Sequence, residues 1–316
     1  MLNLRRALVT LGIGLAGALL AIVVPGHSGA LLPTANPGYW LVGGDGGVFA
    51  FNAPFFGSGT PSSSQDSSCG FVSPNPGDHQ YTFCTAMAAT PSGSGYWLLN
   101  IWYPSALPIG GAGPRPPSAA CTVLNEPGYS AESNWTGLAS SNSGAGYWLV
   151  SQLGLVMGCG DVNALSGSPT TSRFDKPVVG IAATLDGMGF WLVTSDGGVF
   201  AFGDAQFAGS LGGRPLNAPI VGMTPTPDGN GYWLAASDGG VFSFGDAPFS
   251  GSMGGTHINA PIVGMAGSPD GHGYWLAAAD GGVFSFGSAP FRGSMAGKSL
   301  ADPITGIAPY RGSISG

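Results

Sequence analysis

Charged residues are scarce in this chain of 316 residues. They make up 8% of it, with nine Lys and Arg against sixteen Asp and Glu. The few basic residues are scattered, whereas nucleic-acid binding needs clustered Lys and Arg that neutralise phosphates, so we expect no nucleic-acid partner. Disorder is not expected either, because disordered chains lack aromatic residues and this chain has 17 Phe, 9 Tyr and 8 Trp.

The residue types that usually carry catalysis or hold metals are also few. There are four cysteines, none of them in a Cys-x-x-Cys pair, and four histidines that do not cluster, so no metal site and no cofactor are expected. No Gly-x-Ser-x-Gly sequence occurs, which leaves a serine hydrolase without its usual anchor. The only glutamates, Glu126 and Glu132, form the one pair that could support acid and base chemistry on a sugar, together with a loop histidine.

The N-terminal segment has the features of a secretion signal. Two arginines precede an uncharged apolar stretch over residues 7–24, and the small residues at 28–30 fit a cleavage site. We therefore expect residues 1–30 to be a signal peptide and residues 31–316 to be secreted or associated with the cell envelope. The alternative is an uncleaved membrane anchor at 7–24, because that stretch is close to the minimum length for a span.

A Gly-aromatic-Trp-Leu sequence recurs six times along the rest of the chain. The copies begin at Gly38, Gly95, Gly146, Gly189, Gly231 and Gly273. Their aromatic residues are 57, 51, 43, 42 and 42 residues apart. Each unit contains short apolar runs separated by Asp-Gly turns, and a period near forty with strand-like content is typical of a β-propeller blade.

The order of the elements predicts how the ring closes. A first-strand sequence precedes every copy of the motif except the one at Tyr39, and a further first-strand sequence occurs at Ile304–Ala308, after the last complete unit. Closure of a ring removes exposed strand edges, so we expect Ile304–Ala308 to pair with the Tyr39 strand. The predicted fold is an all-β, six-bladed β-propeller closed by its C-terminal strand, with the repeated Trp in the core and a weaker fourth strand at Phe249–Met253.

The units also resemble a family of secreted actinobacterial repeats. The shared pattern is Gly-Tyr-Trp-Leu-x-x-x-Asp-Gly-Gly-Val-Phe-x-Phe-Gly-Asp-Ala-x-Phe-x-Gly-Ser. It is nearly complete at 189–210, 231–252 and 273–294 and is shortened at 38–58. This resemblance implies a secreted location and a β-propeller-like repeat, and it brings no catalytic residue set with it.

The repeat is degenerate at about 84–175, in units two and three, and insertions accumulate there. Loops that grow on one side of a rigid ring are the natural place for a binding surface. Trp102, Tyr103 and Tyr129 break the register of the repeat and are candidates for stacking on sugar faces. The alternative is that these rings pack beneath the long loops.

An even number of cysteines in a secreted chain favours disulfides, and four cysteines allow three pairings. We expect Cys69 to pair with Cys84, which would staple the first insertion, and Cys121 to pair with Cys159. Alignment places the latter two on third strands of neighbouring blades. Packed sheets lie about 10 Å apart, whereas bridged Cα atoms lie within about 7 Å, so this bond would need a local shift.

Aspartates recur at two positions of the repeat. Those before Gly-Gly are expected to form turns, and they are Asp45, Asp196, Asp238 and Asp280. Those after the third strand are Asp161, Asp204 and Asp246. With one per blade, the second set is expected to be a ring of single carboxylates rather than a calcium cage.

Together these features predict a secreted, non-enzymatic binding or scaffold module. Its irregular sector is expected to contact a cell-envelope glycan or an extracellular protein. One alternative is an extracellular polysaccharide hydrolase or lyase that uses Glu126 and Glu132. The other is a purely structural envelope protein, which would lack a concave site and an exposed aromatic patch.

Overall fold

The computed structural model describes residues 36–59, 84–100, 106–114, 116, 121–123, 134–162 and 174–312. The chain divides into two compact units, Met1–Leu31 and Leu32–Gly316. All described residues belong to the second unit, so the predicted signal segment lies outside them. Within the described ranges, no helix is long and apolar enough to cross a bilayer.

The described part of the chain forms nineteen strands in six antiparallel sheets. Blade 1 consists of β19 (Ile304–Tyr310), β1 (Gly38–Gly43) and β2 (Val48–Phe51). Blade 2 consists of β3 (Cys84–Ala89), β4 (Gly95–Asn100) and β5 (Ala106–Gly110). Blade 3 consists of β7 (Trp135–Ser140), β8 (Tyr147–Ser151), β9 (Val156–Cys159) and β6 (Cys121–Val123).

The remaining blades are regular meanders of three strands. Blade 4 consists of β10 (Val178–Ala183), β11 (Gly189–Thr194) and β12 (Val199–Gly203). Blade 5 consists of β13 (Ile220–Pro225), β14 (Gly231–Ala236) and β15 (Val241–Gly245). Blade 6 consists of β16 (Ile262–Gly267), β17 (Gly273–Ala278) and β18 (Val283–Gly287).

The turns within a blade follow from the Asp-Gly sequences. In blade 5, Gly229 and Gly239 have φ of 75° and 83°, a left-handed conformation that glycine adopts without steric cost. Asp238 Oδ1 accepts a hydrogen bond of 2.9 Å from the backbone N–H of Gly240, which fixes the second turn. The aspartates before Gly-Gly are therefore turn formers, as expected.

The C-terminal strand closes the ring. β19 pairs antiparallel with β1, with Trp40 opposite Ala308 and Leu41 opposite Ile307. The innermost strands of neighbouring blades also contact one another in one cycle, in the order β19, β3, β7, β10, β13, β16 and again β19. The protein is thus an all-β, six-bladed β-propeller closed by its C-terminal strand, and the sequence prediction of this fold is confirmed.

Aromatic residues of the repeated motif form most of the contacts between blades. In each blade, the strand that carries the motif is buried along its whole length. The Trp of one blade lies against the Tyr of the next, as in Trp233 and Tyr274, whose ring centroids are 5.5 Å apart. The last blade meets the first in the same way through Trp275 and Tyr39, at 5.4 Å. Such tilted pairs add about 1 kcal/mol each to the apolar burial.

The predicted fourth strand at Phe249–Met253 is wrong, because no strand forms there. Pro248 has no N–H to donate to a ladder, and Gly251 has φ of 124°, which is not a strand conformation. The segment instead runs along the outer edge of blade 5, anchored at its end where the N–H of Met253 donates to the carbonyl of Gly239 over 2.9 Å. Regular blades therefore have three strands.

Blade 3 acquires a fourth strand by another route. β6 precedes this blade in the chain and pairs with its outer strand β9, with Cys121 directly opposite Cys159. These two residues form a disulfide with Cα atoms 4.1 Å apart. The expected pairing is present, but its expected position on neighbouring blades is wrong, because the insertion before blade 3 lets β6 join the same sheet as Cys159.

The first prediction concerns the glycine that opens each motif. A Cβ at Gly231 would lie 2.5 Å from the carbonyl oxygen of Phe244 on the paired strand, so the close approach of the two backbones requires glycine. We expect Gly231→Ala to lower the free energy of unfolding by about 3 kcal/mol. Gly222→Ala in the same blade is the control, since its nearest neighbour would be an ordinary 3.6 Å away. Denaturant unfolding measures both, and equal effects would contradict this account.

The second prediction tests closure of the ring. Deletion of residues 304–316 removes one of the six innermost strands, including the buried side chains of Ile304 and Ile307. It also leaves an unpaired edge on β1. We expect cooperative thermal unfolding to be lost, while a chain ending at Arg311 keeps the transition of the intact protein. A cooperative transition at an unchanged temperature in the shorter chain would show that closure is dispensable.

Candidate functional site

Most of the site candidates from the sequence lie outside the described residues. They are Trp102, Tyr103, Tyr129, Glu126, Glu132 and Cys69. Cys84, the expected partner of Cys69, is buried at the start of β3 and is disulfide-bonded. The candidate site that the structure does describe is on the regular blades.

Four phenylalanines at equivalent positions of the repeat are exposed to solvent. They follow the third strand of blades 4, 5, 6 and 1, which are consecutive around the ring. They are Phe207, Phe249, Phe291 and Phe55, with 62%, 62%, 59% and 61% of their surface exposed. We call this set the phenylalanine rim. Blades 2 and 3 have no equivalent Ala-x-Phe sequence.

Hydrogen bonds hold the backbone on both sides of each rim phenylalanine. In blade 5 the indole N–H of Trp233 donates to the carbonyl of Pro248 over 2.8 Å, just before Phe249. Just after it, the N–H of Ser250 donates over 3.2 Å to the hydroxyl of Tyr274, which belongs to the next blade. The ring of Phe249 is therefore presented to solvent from a backbone that two blades fix in place.

The same arrangement recurs at the other rim positions. Indole N–H groups donate to the residue before the phenylalanine in three more pairs, Trp40 to Pro54, Trp191 to Gln206 and Trp275 to Pro290. In blades 2 and 3, where the segment is absent, the indole nitrogens of Trp97 and Trp148 are buried and have no hydrogen-bond partner in the described structure. Among the described residues, the rim and its indole support therefore occur on blades 1, 4, 5 and 6.

A cleft of about 580 Å³ lies beside the rim and is lined by residues of blade 4, the first turn of blade 5 and Asn142 of blade 3. Its walls include Asp186, Asp204, Asp228, Trp191, Gln206 and Asn230. Gln206 directly precedes the rim residue Phe207 in the chain. The cleft therefore presents carboxylate and amide groups near an exposed phenylalanine, above the buried ring of Trp191.

The two carboxylates of blade 4 share one hydroxyl group. Thr184 Oγ1 lies 2.8 Å from Asp186 Oδ1 and 3.1 Å from Asp204 Oδ1. The backbone N–H of Met188 and the Thr184 hydroxyl lower the pKa of Asp186. Desolvation, a hydrogen bond to Asp186 and the charge of Asp186 raise the pKa of Asp204. Asp204 is therefore the member of the pair that takes up a proton first.

Blade 5 repeats this arrangement with Thr226, Asp228 and Asp246. Partial desolvation acts to raise the pKa of Asp228, but hydrogen bonds from Thr226 and Asn230 outweigh it and lower the pKa to about 2. Desolvation and the neighbouring Asp228 raise the pKa of Asp246. The expected ring of single carboxylates is thus wrong for blades 4 and 5, because each aspartate after a third strand has a second carboxylate beside it.

The second carboxylate of each pair, which the sequence analysis did not predict, has a simple sequence signal. In both blades the aspartate of the first turn precedes the aspartate after the third strand by eighteen residues. In blade 6 the same spacing joins Asp270 to Ser288, whose hydroxyl donates to Asp270 over 2.7 Å. Because a serine replaces a carboxylate without loss of the contact, the pair serves to join two turns of one blade.

The geometry of these pairs does not suit glycoside hydrolysis. Hydrolysing enzymes place a sugar between their two carboxyl groups, whereas Asp186 and Asp204 both contact the hydroxyl group of Thr184. No group of three metal-ligating side chains occurs within the described ranges. What the cleft offers a ligand is a set of hydrogen-bond acceptors, one residue away in the chain from the exposed Phe207.

Comparisons with known proteins give little beyond the fold. No family model matches the chain, and no curated protein sequence matches it. Among solved structures, it is similar to the β-propeller domain of Cps50 (Swd1) from Myceliophteria thermophila. The two share 12% identity over 70% of each chain, with a TM-score of 0.43. The assignment of a propeller here therefore depends on the cycle of innermost strands and not on this likeness.

The third prediction concerns the carboxylate pair of blade 5. Replacement of Asp228 by Asn removes the negative charge beside Asp246, so the pKa of Asp246 should fall toward the usual value of about 3.9. In the intact protein, the stabilisation from Asp228 is present above about pH 4 and is lost as the pH falls toward about 2. The loss of stability at low pH should therefore be smaller in the Asp228→Asn variant.

Carboxyl NMR titration measures the pKa of Asp246, and unfolding below neutral pH measures the stability. Asp238→Asn, in a turn of the same blade, is the control and should leave the titration of Asp246 unchanged. An unchanged pKa of Asp246 in the Asp228 variant would show that the two carboxylates do not interact.

Proposed function

We propose that the protein is a secreted, non-enzymatic module that binds a neutral glycan of the cell envelope along the phenylalanine rim. The observation that carries this proposal is the presence of four equivalent phenylalanines, each about 60% exposed, on four consecutive blades. Isolated exposed apolar residues are common on protein surfaces. A set that repeats with the blades and is held by the same two hydrogen bonds supports a binding role.

The chemistry of the rim fits sugars. The C–H faces of a sugar ring are apolar and stack on aromatic rings, while its hydroxyl groups donate hydrogen bonds. Beside Phe207, the cleft supplies acceptors for such hydroxyls in Asp186, Asp204 and Asp228. These three carboxylates would also repel phosphate or uronate groups, which makes a neutral glycan the better fit. The formal net charge of −7 acts in the same direction.

The repetition of the rim favours a polymer over a small ligand. Rim residues on consecutive blades present the same group four times from one rigid ring. A chain of identical sugars can occupy several such positions at once, and linked weak contacts multiply their affinities. Each stacked ring is expected to contribute about 1 kcal/mol, or about fivefold.

The rim lies on blades 1, 4, 5 and 6, whereas the sequence analysis favoured blades 2 and 3 as the binding surface. Trp102, Tyr103 and Tyr129 of the irregular blades remain candidates that lie outside the described residues. Secretion likewise remains a proposal that the features of residues 1–30 support. An extracellular protein as the partner is an alternative that the binding experiment decides.

The two other functions receive less support. Glu126 and Glu132, on which a hydrolase or lyase would depend, lie outside the described residues, and the one carboxylate pair of the cleft, Asp186 and Asp204, is bound to Thr184 of its own blade. A purely structural protein was expected to lack an exposed aromatic patch. The phenylalanine rim therefore favours binding over architecture alone.

The fourth prediction tests binding at the rim. In affinity electrophoresis through gels that contain a neutral or an anionic polysaccharide, the protein should be retarded by a neutral one. Phe249→Ser should weaken retardation about fivefold, and the combined Phe207→Ser, Phe249→Ser and Phe291→Ser variant about a hundredfold. All should unfold at temperatures close to that of the parent protein, because these rings are exposed.

Leu153→Ser is the matched control, because Leu153 is 71% exposed but lies on blade 3, away from the rim. It should bind like the parent protein. Equal weakening by Leu153→Ser would indicate general surface stickiness. Absence of retardation by every neutral polysaccharide, or stronger retardation by the anionic ones, would overturn the proposal.

A further inference from the structure

A second feature of the chain lies on the axis of the ring, away from the phenylalanine rim. The residue just beyond the innermost strand occupies an equivalent position in every blade. In blades 2 to 6 it lies in the turn to the second strand, whereas in blade 1 it lies in the C-terminal segment of the chain. In blades 2 to 6 this residue is uncharged, namely Pro91, Asn142, Leu185, Pro227 and Pro269. In blade 1 it is Arg311, directly after Tyr310, which pairs with Gly38. One cation thus interrupts a ring of uncharged residues.

A channel runs along the axis beneath these turns. It encloses about 260 Å³ and is lined by the innermost strands of all six blades. Polar and apolar groups line it in nearly equal parts, and the apolar part includes Met87, Ala139, Ala182, Met223, Met265 and Ile307. Arg311 lines the mouth of this channel. It also lines a neighbouring cavity of about 110 Å³ formed by turns of blades 4, 5 and 6.

Among the described residues, no carboxylate balances the charge of Arg311, since no Asp or Glu lines either cavity. Desolvation lowers the pKa of Arg311, and no neighbouring charge acts on it in the opposite direction. Guanidinium groups remain charged in proteins, and a desolvated charge without a counterion is costly. An anion at the channel mouth would remove this cost.

We infer that the axial channel binds a small carboxylate with an apolar tail, with the carboxylate on Arg311 and the tail along the methionines. The planar guanidinium matches a carboxylate through two parallel hydrogen bonds. One cation balances one negative charge, whereas a phosphate dianion would leave an unbalanced negative charge, because the described lining of the channel holds no cation besides Arg311. The flexible side chains of Met87, Met223 and Met265 can adapt to an aliphatic chain.

No rim phenylalanine lines the channel, although Asn142, Thr184 and Leu185 line both the channel and the cleft beside the rim. The fifth prediction uses hexanoate as the probe and isothermal titration calorimetry as the measurement. The purified protein should bind hexanoate with a dissociation constant near or below about 1 mM. Hexanol has the same tail without the charge and should bind at least tenfold more weakly. Hexyl phosphate should also bind more weakly than hexanoate.

Arg311→Met keeps the length of the side chain but removes its charge, and it should weaken hexanoate binding at least tenfold. Arg311→Lys keeps the charge without the planar guanidinium group. Its affinity for hexanoate should lie between those of the parent protein and Arg311→Met. Arg214→Met is the matched control, because Arg214 is exposed on a turn of blade 4 and its loss changes the net charge by the same amount. It should bind hexanoate like the parent protein.

A further variant, Met223→Trp, fills the channel while leaving Arg311 in place, and it should abolish binding. Thermal unfolding of each variant establishes that it is folded. Three results would overturn the inference: no heat of binding with hexanoate, equal binding of hexanol, or equal loss in the Arg214 and Arg311 variants. Tighter binding of hexyl phosphate would overturn the choice of a carboxylate.

Discussion

The structure depends on one constraint, which is that every blade must bury both of its faces against neighbours. A strand such as β14 is buried along its whole length, so no blade could face water on one side. Only a closed ring meets this requirement for all blades. β19 completes the ring by pairing with β1, and the contact of Trp275 with Tyr39 joins the last blade to the first. The two ends of the propeller are therefore held in one sheet.

The repeated motif satisfies this constraint with three residues of different roles. Gly231 lets two strands approach closely, Tyr274 bridges to the preceding blade and Trp233 fills the space between blades. The polar ends of both aromatic residues bind the segment that follows the third strand. That segment consequently needs no strand pairing, which explains why the regular blades have three strands. It also explains why an exposed phenylalanine can be held in a fixed position.

The ring, its closure and the core tryptophans could be predicted from the sequence, because the number and offset of the elements leave few arrangements. The strand β6 could not, since the insertion that carries Cys121 has no counterpart in the regular units. The carboxylate pairs were missed because each aspartate was considered with its neighbours in sequence. The exposure of Phe249 was missed because an apolar residue after a strand is more readily interpreted as part of the core than as part of a surface.

The buried indoles of blades 2 and 3 show that packing between blades is a stronger constraint than the hydrogen bond of the indole N–H. Trp97 and Trp148 keep their packing although their N–H groups have no partner in the described structure, and a buried donor without a partner costs about 1–3 kcal/mol. Packing between blades is therefore retained where the polar support has been lost. Blades 2 and 3 are also the units in which the repeat is degenerate. Within the described residues, the four blades that keep the indole hydrogen bond are the four that present a rim phenylalanine.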